Sequence, residues 1–166
     1  MILRATTVSA LVLAVTPLFA HGNDRGKATA TVAGKSVLID YGRPSLKGRD
    51  MLAEAVIGQP WRMGSDAATT LRTDAELSFG SVSVPVGEYI LRATKVGEGA
   101  WTLNVNKPNP ENPRSAGERV ADIPLTAATL PASVEIFTIE LTGSKEKGEF
   151  VMKWGTTALK AGFTAR

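Results

Sequence analysis

The chain has 166 residues, with 19 lysines and arginines against 16 aspartates and glutamates, one histidine and no cysteine. This length corresponds to about one average domain. The lack of cysteine excludes disulfides, thiolate catalysis and thiolate zinc sites, and a formal charge of +3 is too small to indicate nucleic-acid binding.

The first twenty residues have the composition of a secretory signal peptide. Arg4 is their only charge, and most of the others are apolar. The apolar part is shorter than the roughly 20 residues that cross a bilayer. We therefore expect residues 1–20 to be a signal peptide, cleaved after Ala20 or Gly22, and the mature protein to be periplasmic or secreted, with no membrane span. The cleavage position decides whether His21, the only imidazole, is retained.

Alternation of apolar and polar residues dominates the rest of the chain and predicts a single β domain over residues 28–166. Residues 71–79 alternate in this way, which predicts a strand with one buried and one exposed face. Gly80-Ser81 follows as a hairpin signal. Further alternating runs cover residues 37–41, 89–93, 101–105, 137–141, 150–154 and 159–163.

Turn signals separate these runs, and the longest is a proline- and asparagine-rich stretch at residues 107–113, which we expect to be a mobile surface loop. Asp50 is positioned to cap one short helix over residues 51–56, closed by Gly58. Eight or nine short antiparallel strands around one core predict an all-β fold, either an antiparallel β-sandwich or a jelly-roll-like barrel.

Two segments interrupt the strand pattern and are dense in charged and aromatic residues. Residues 41–49 have the sequence Tyr-Gly-Arg-Pro-Ser-Leu-Lys-Gly-Arg, and residues 61–70 begin Trp-Arg-Met-Gly. Together with residues 84–89 and 101–107, they resemble the DUF2911 family of envelope proteins. The resemblance implies a secreted, β-rich domain, and it brings no agreed activity or substrate.

One position departs from the family pattern. After Trp-Arg-x-Gly the family commonly has Ala, then Asp or Asn, then Glu, whereas this chain has Ser65, Asp66 and Ala67. If that glutamate serves the family as an acid or base, this chain has lost it.

The two segments favour an anion-binding site. Guanidinium groups present planar forks that match carboxylate, phosphate or sulfate, and the neighbouring glycines would let backbone N–H groups approach the same ligand. We expect both segments to meet at one rim, where the basic groups attract the anion, Trp61 walls the pocket, and Asp66 and Thr69 orient the basic groups. The predicted ligand-binding residues are Arg43, Lys47, Arg49, Trp61, Arg62, Asp66 and Thr69.

The function predicted from these residues is a non-catalytic binding or envelope-interaction module for a small anionic or glycan ligand, without cofactor or metal. One alternative is structural: the arginines brace the loops by pairing with nearby aspartates, and Trp61 fills the core. Another is a hydrolase acting on an envelope glycan, which needs two carboxyl groups facing one cleft. Its candidate carboxyl groups are Asp40, Asp50, Glu54 and Asp66.

Overall fold

The computed structural model describes residues 24–166, so the predicted signal peptide, its cleavage positions and His21 lie outside the described residues. Within the described part all regular secondary structure is β-strand. No helix capable of crossing a membrane occurs among these residues. The ten strands are β1 Arg25–Val32, β2 Lys35–Gly42, β3 Pro60–Trp61, β4 Thr69–Thr73, β5 Leu77–Phe79, β6 Val82–Val84, β7 Gly87–Gly97, β8 Ala100–Pro108, β9 Ala116–Ser144 and β10 Lys147–Ala165.

The strands form one antiparallel sheet that is not closed into a barrel. Their order is β1-β2-β4-β7-β8-β9-β10-β5-β6, and β3 also pairs with β7. β8 pairs with residues 116–126 of the long strand β9, whereas β10 pairs with residues 126–144. The sheet therefore folds over at β9, which confirms the predicted all-β, sandwich-like fold. We call the part from β1 to residue 126 of β9 the first layer and the remaining strands, with β5 and β6, the second layer.

The core lies between the layers, and the residues that alternation predicts to be buried line it. Trp101 and Trp154 are 5% and 3% exposed. The hydroxyl of Tyr41 donates a hydrogen bond to the carbonyl oxygen of Ile139 at 3.2 Å, and that of Tyr89 donates to a loop carbonyl at 2.9 Å. Each of these buried hydroxyls thus has the partner that burial requires, and Tyr41 links the first layer to the second.

The alternating stretch at residues 71–79 forms two strands rather than one. β4 pairs with β2 and β7 in the first layer, whereas β5 pairs with β10 in the second. Between them the hydroxyl of Thr73 donates to the carbonyl of Ala75 at 2.7 Å and accepts from its amide at 3.2 Å. Because a side chain occupies these backbone groups, the strand ends and the chain crosses to the other layer. The hairpin predicted at Gly80-Ser81 is confirmed, since it joins β5 to β6.

The segment after Asp50 forms turns instead of the predicted short helix. The Oδ1 atom of Asp50 accepts the amide of Ala53 at 3.1 Å, and its carbonyl accepts the amide of Glu54 at 2.9 Å, so Asp50 caps a turn and not the predicted helix. The turn does not propagate, because the amide of Gly58 donates to the carbonyl of Lys95 at 2.8 Å and holds the chain against β7.

Candidate functional site

The two motif segments lie side by side at the end of β2. Gly42 packs on the backbone of Gly64 and Ser65, and a Cβ atom on Gly64 would lie 2.7 Å from the carbonyl oxygen of Gly42. A Cβ atom on Gly42 would overlap Ser65. Gly64 also has a φ of 140°, which L side chains rarely adopt. Glycine at both positions therefore permits this close approach.

Both segments contain non-glycine residues with a left-handed backbone. The φ angles of Lys47, Met63 and Asp66 are 49°, 57° and 59°. Such conformations cost about 1 kcal/mol or more each and persist only where neighbours fix them. In the second segment the hydroxyl of Thr69 donates to the carbonyl of Met63 at 2.5 Å, and both residues are fully buried. Thr69 thus fixes the backbone of the second segment.

Two of the four basic residues are paired with carboxylates. Arg43 Nη1 lies 2.7 Å from Asp24 Oδ2, and Arg49 Nη2 lies 2.8 Å from Glu54 Oε2. The bracing alternative predicts pairs of this kind, although with different acidic partners. Exposed pairs stabilise a fold by about 0–1 kcal/mol each, so their main effect here is to reduce the charge available to a ligand.

The other polar residues of the prediction face solvent. Lys47, Arg62 and Asp66 are exposed, and within residues 24–166 their side chains make no ion pair. Arg62 and Lys47 are therefore the predicted cations that remain available to an anion.

Trp61 belongs to an aromatic cluster between the layers. Its ring stacks on that of Trp154, with centroids 5.6 Å apart and planes at 17°, and meets the ring of Phe137 edge-on at 5.2 Å. Phe137 in turn meets Tyr41 edge-on at 5.6 Å. Such pairs add about 0.5–1.5 kcal/mol each to the burial of the rings. These contacts favour the core-filling alternative for Trp61, which is half-buried.

Glu135 links the first motif segment to β9. Its Oε1 atom accepts the hydroxyl of Ser45 at 2.5 Å and the amide of Lys47 at 3.1 Å. The hydrogen bond from Ser45, followed by that from Lys47, lowers the pKa of the Glu135 carboxyl below its ordinary value. A carboxyl held in its charged form anchors the loop and is a poor proton donor. No sequence pattern indicated this link.

The side of the first layer that faces away from the core, here called the outer face, carries a buried polar network. Thr94, Asn104 and Asn106 point to this face yet are 9%, 2% and 3% exposed. The hydroxyl of Thr94 donates to Asn104 Oδ1 at 2.6 Å, and Asn104 Nδ2 donates to Asp122 Oδ1 at 2.8 Å. Arg119 donates from Nε to Asn106 Oδ1 at 2.8 Å and also pairs with Asp122. The network therefore joins β7, β8 and β9.

Arg92 lies on the same face of β7 and makes no ion pair with any residue of the range 24–166. Its Nε atom is buried and has no hydrogen-bond partner among residues 24–166. Two aspartates of this face already have partners, since Asp40 pairs with Arg25 and Asp122 pairs with Arg119. A partly buried cation without a counter-charge destabilises a fold. Buried polar atoms without a partner are rare, so this one calls for an explanation.

The pairing of β3 with β7 brings Arg62 level with Arg92. Trp61 pairs with Ala93, so the next residue of the motif lies beside the preceding residue of β7. Trp61 points into the core, and alternation therefore directs Arg62 to the outer face. The Trp-Arg-x-Gly motif thus places an exposed arginine, which makes no ion pair within residues 24–166, level with Arg92 in the backbone register.

A family model described as "Protein of unknown function (DUF2911)" matches residues 23–163. The chain belongs to the DUF2911 family. This match confirms the family that the motifs indicated and leaves the predicted signal peptide outside the matched range. No curated protein and no solved structure matches the chain.

The DUF2911 motifs meet in two places. Residues 41–49 and 61–70 share the rim at Gly42, and the motif at residues 101–107 contributes Asn104 to the outer face. Arg62 belongs to both places. Ala67, at the position where the family commonly has glutamate, is exposed.

The four candidate carboxylates of the hydrolase alternative have different partners and exposures. Asp40 pairs with Arg25, Asp50 caps a turn, Glu54 belongs to an exposed ion pair, and Asp66 is exposed. Each has a different environment, and none hydrogen bonds to another. Among residues 24–166, no group of three or more histidines, aspartates and glutamates could hold a metal ion.

Sequence reasoning missed Arg92, Arg119 and Asp122. Arg92 stands at the polar phase of an alternating strand, where an arginine usually faces solvent. The pairing register between strands would have revealed its neighbours, and alternation within one strand does not contain that information.

Proposed function

We propose that this domain is a non-catalytic module of the cell envelope that binds a small anionic ligand. The observation that carries the proposal is the position of Arg62 directly after β3, level with Arg92 in the backbone register, where neither side chain makes an ion pair within residues 24–166. Two neighbouring cations repel each other, most strongly where protein limits their hydration. An anion between them would remove the repulsion and accept charge-assisted hydrogen bonds.

The other predicted residues then have supporting roles. Lys47 adds to the positive field from the rim, and Arg43 and Arg49 hold the first loop through their carboxylate partners. Trp61 and Thr69 fix the second segment, so that Arg62 is presented on a rigid base.

We also propose that the protein is exported to the periplasm or the exterior. The composition of residues 1–20 supports export to the periplasm or the exterior. Anions available there include acidic glycans, lipid phosphates and small metabolites. A ligand of this kind needs no redox cofactor and no thiol chemistry from the protein.

The experiment is a thermal-shift screen of the purified protein against phosphate, sulfate, citrate and glucuronate. Because a ligand of the native state raises its stability, we expect at least one anion to raise the melting temperature. Arg62→Ala should abolish that shift while the ligand-free melting temperature stays within a few degrees of the wild type. Arg166→Ala is the matched control, because this exposed arginine pairs with Glu76 at 3.7 Å near the opposite end of β4. Its shift should be unchanged.

Two results would contradict the proposal. If Arg62→Ala lowers the ligand-free melting temperature strongly, the structural alternative holds and the arginine braces the loops. If none of the four anions stabilises the protein, the function does not involve an anion of this size.

A further inference from the structure

We infer that the outer face binds an acidic oligosaccharide, whose carboxylate lies on Arg92 and whose neighbouring sugar units lie in two clefts on either side. This inference rests on the proposed function and specifies the ligand class. The ligand would be an extended, hydroxyl-rich chain with a single negative charge at its centre.

The first cleft lies on one side of Arg92 and has a volume of about 320 Å³. It is lined by Thr70, Ile90, Pro108 at the end of β8 and Pro113 in the loop that follows. Proline rings present apolar surface to the carbon face of a sugar, and a threonine hydroxyl hydrogen bonds to its edge. This cleft therefore has both of the surfaces that a sugar ring needs.

The second cleft lies on the other side of Arg92 and has a volume of about 270 Å³. Pro60, Thr94, Thr102 and Asp122 line it. Asp122 Oδ1 already accepts hydrogen bonds from Asn104 and Arg119. Arg119 also lines this cleft and pairs with Asp122, so the pair adds no net charge, and its polar atoms favour a neutral, hydroxylated unit.

The positions along β7 give the length of the ligand. Ile90 lines the first cleft and Thr94 the second, and four residues of a strand extend about 13 Å. Arg92 is midway between them. The Glu88 side chain also borders the first cleft, with Arg72 4.0 Å from it. Each cleft is therefore lined by an acidic and a basic residue that pair with each other, Glu88 with Arg72 and Asp122 with Arg119, whereas the cation in the middle is unpaired within residues 24–166, which favours a chain with one central charge over a polyphosphate.

Arg92 is suited to a carboxylate because its surroundings are rigid. It pairs across the strands with Asn104, which is 2% exposed and hydrogen bonded to Thr94 and Asp122. A guanidinium held on such a base presents its planar fork with little loss of freedom on binding. The bound carboxylate would supply the counter-charge that Arg92 lacks within residues 24–166.

The test is isothermal titration of the purified protein with a trisaccharide in which one glucuronate lies between two N-acetylglucosamine units. Glucuronate alone and the neutral trimer of N-acetylglucosamine are the ligand controls. We expect the acidic trisaccharide to bind at least about tenfold more tightly than either control, because only it occupies both clefts and Arg92. Equal affinity for glucuronate alone would overturn the inference.

Arg92→Met should weaken binding of the trisaccharide by at least about tenfold, whereas the remote Arg166→Met should leave it within about twofold. If Arg92→Met does not fold, Arg92→Lys decides the question, because it keeps the charge and removes the fork. A folded Arg92 variant that binds like the wild type contradicts the inference.

The outcomes separate this inference from the proposed function. If phosphate or citrate stabilises the protein and Arg62→Ala removes that effect, while the trisaccharide shows no preference, the anion-binding function stands and the oligosaccharide is wrong. If neither simple anions nor the trisaccharide bind, both fail together.

Discussion

The hydroxyl of Ser45 donates a 2.5 Å hydrogen bond to Glu135, 90 positions further along the chain. Glu135 belongs to the part of β9 in the second layer, and Ser45 belongs to the first motif segment. The same carboxylate oxygen receives the amide of Lys47 at 3.1 Å. One exposed glutamate thus holds the motif loop against the opposite layer.

Glu135→Gln should lower the melting temperature at neutral pH, since an amide oxygen accepts hydrogen bonds less strongly than a carboxylate. The folded-state pKa of Glu135 lies below its ordinary value of 4.5. Its stabilisation is therefore present above pH 4.5 and is lost as the pH falls through the lowered pKa. Melting curves of both proteins between neutral and acidic pH should converge at the acidic end. Glu149→Gln, on the exposed side of β10, is the control and should show no such convergence.

Trp61→Ala should destabilise the fold by about 3 kcal/mol, because it removes a ring that packs on Trp154 and Phe137. Trp61→Phe keeps much of the packing and should cost less. Urea denaturation of the three proteins measures the difference. A loss of ligand binding with unchanged stability would instead identify Trp61 as a ligand platform.

Gly42→Ala should destabilise the protein by about 1–3 kcal/mol, because the added methyl group meets the backbone of Ser65 and pushes the motif segments apart. We expect the same variant to weaken anion binding. Gly162→Ala is the control, because the nearest atom to its Cβ would be 3.9 Å away. Denaturation and thermal-shift measurements on the pair test the prediction, and equal behaviour of the two variants would refute it.

Arg92→Met should leave the free energy of unfolding unchanged or raise it by about 1 kcal/mol, since it removes a partly buried cation without a partner. Arg119→Met should have the opposite effect and cost about 1–3 kcal/mol, because Asn106 and Asp122 lose the group that satisfies them. Urea denaturation distinguishes the two arginines. Similar losses for both would show that Arg92 is a structural residue.

Much of the fold could be predicted from the alternation of apolar and polar residues, because many of the buried residues are large. The phases of Trp101, Phe137 and Trp154 are clear because large rings alternate with polar side chains, and all three are buried as predicted. β1 was missed because its inward residues begin with the small Ala28 and Ala30, which give weak contrast to the threonines between them. β3 has only two residues.

The candidate site was harder to predict from the sequence, because it depends on pairing between strands that are distant along the chain. The contact of Gly42 with Gly64 fits the expected meeting of the segments. The partners of the basic residues did not follow from proximity in sequence, since Arg43 pairs with Asp24, which precedes β1. The position of Arg92 depends on the register of β7 with its neighbours, which no single strand encodes.

β9 pairs with β8 in the first layer and with β10 in the second, and this arrangement determines when the core is covered during synthesis. The inward faces of β2, β4, β7 and β8 expose side chains such as Val37, Leu71 and Leu103 until the later part of β9 and β10 cover them. Those covering strands emerge after the strands that they cover. The nascent polypeptide therefore exposes these apolar side chains until the later part of β9 and β10 has been synthesised, and such exposure favours aggregation during this interval.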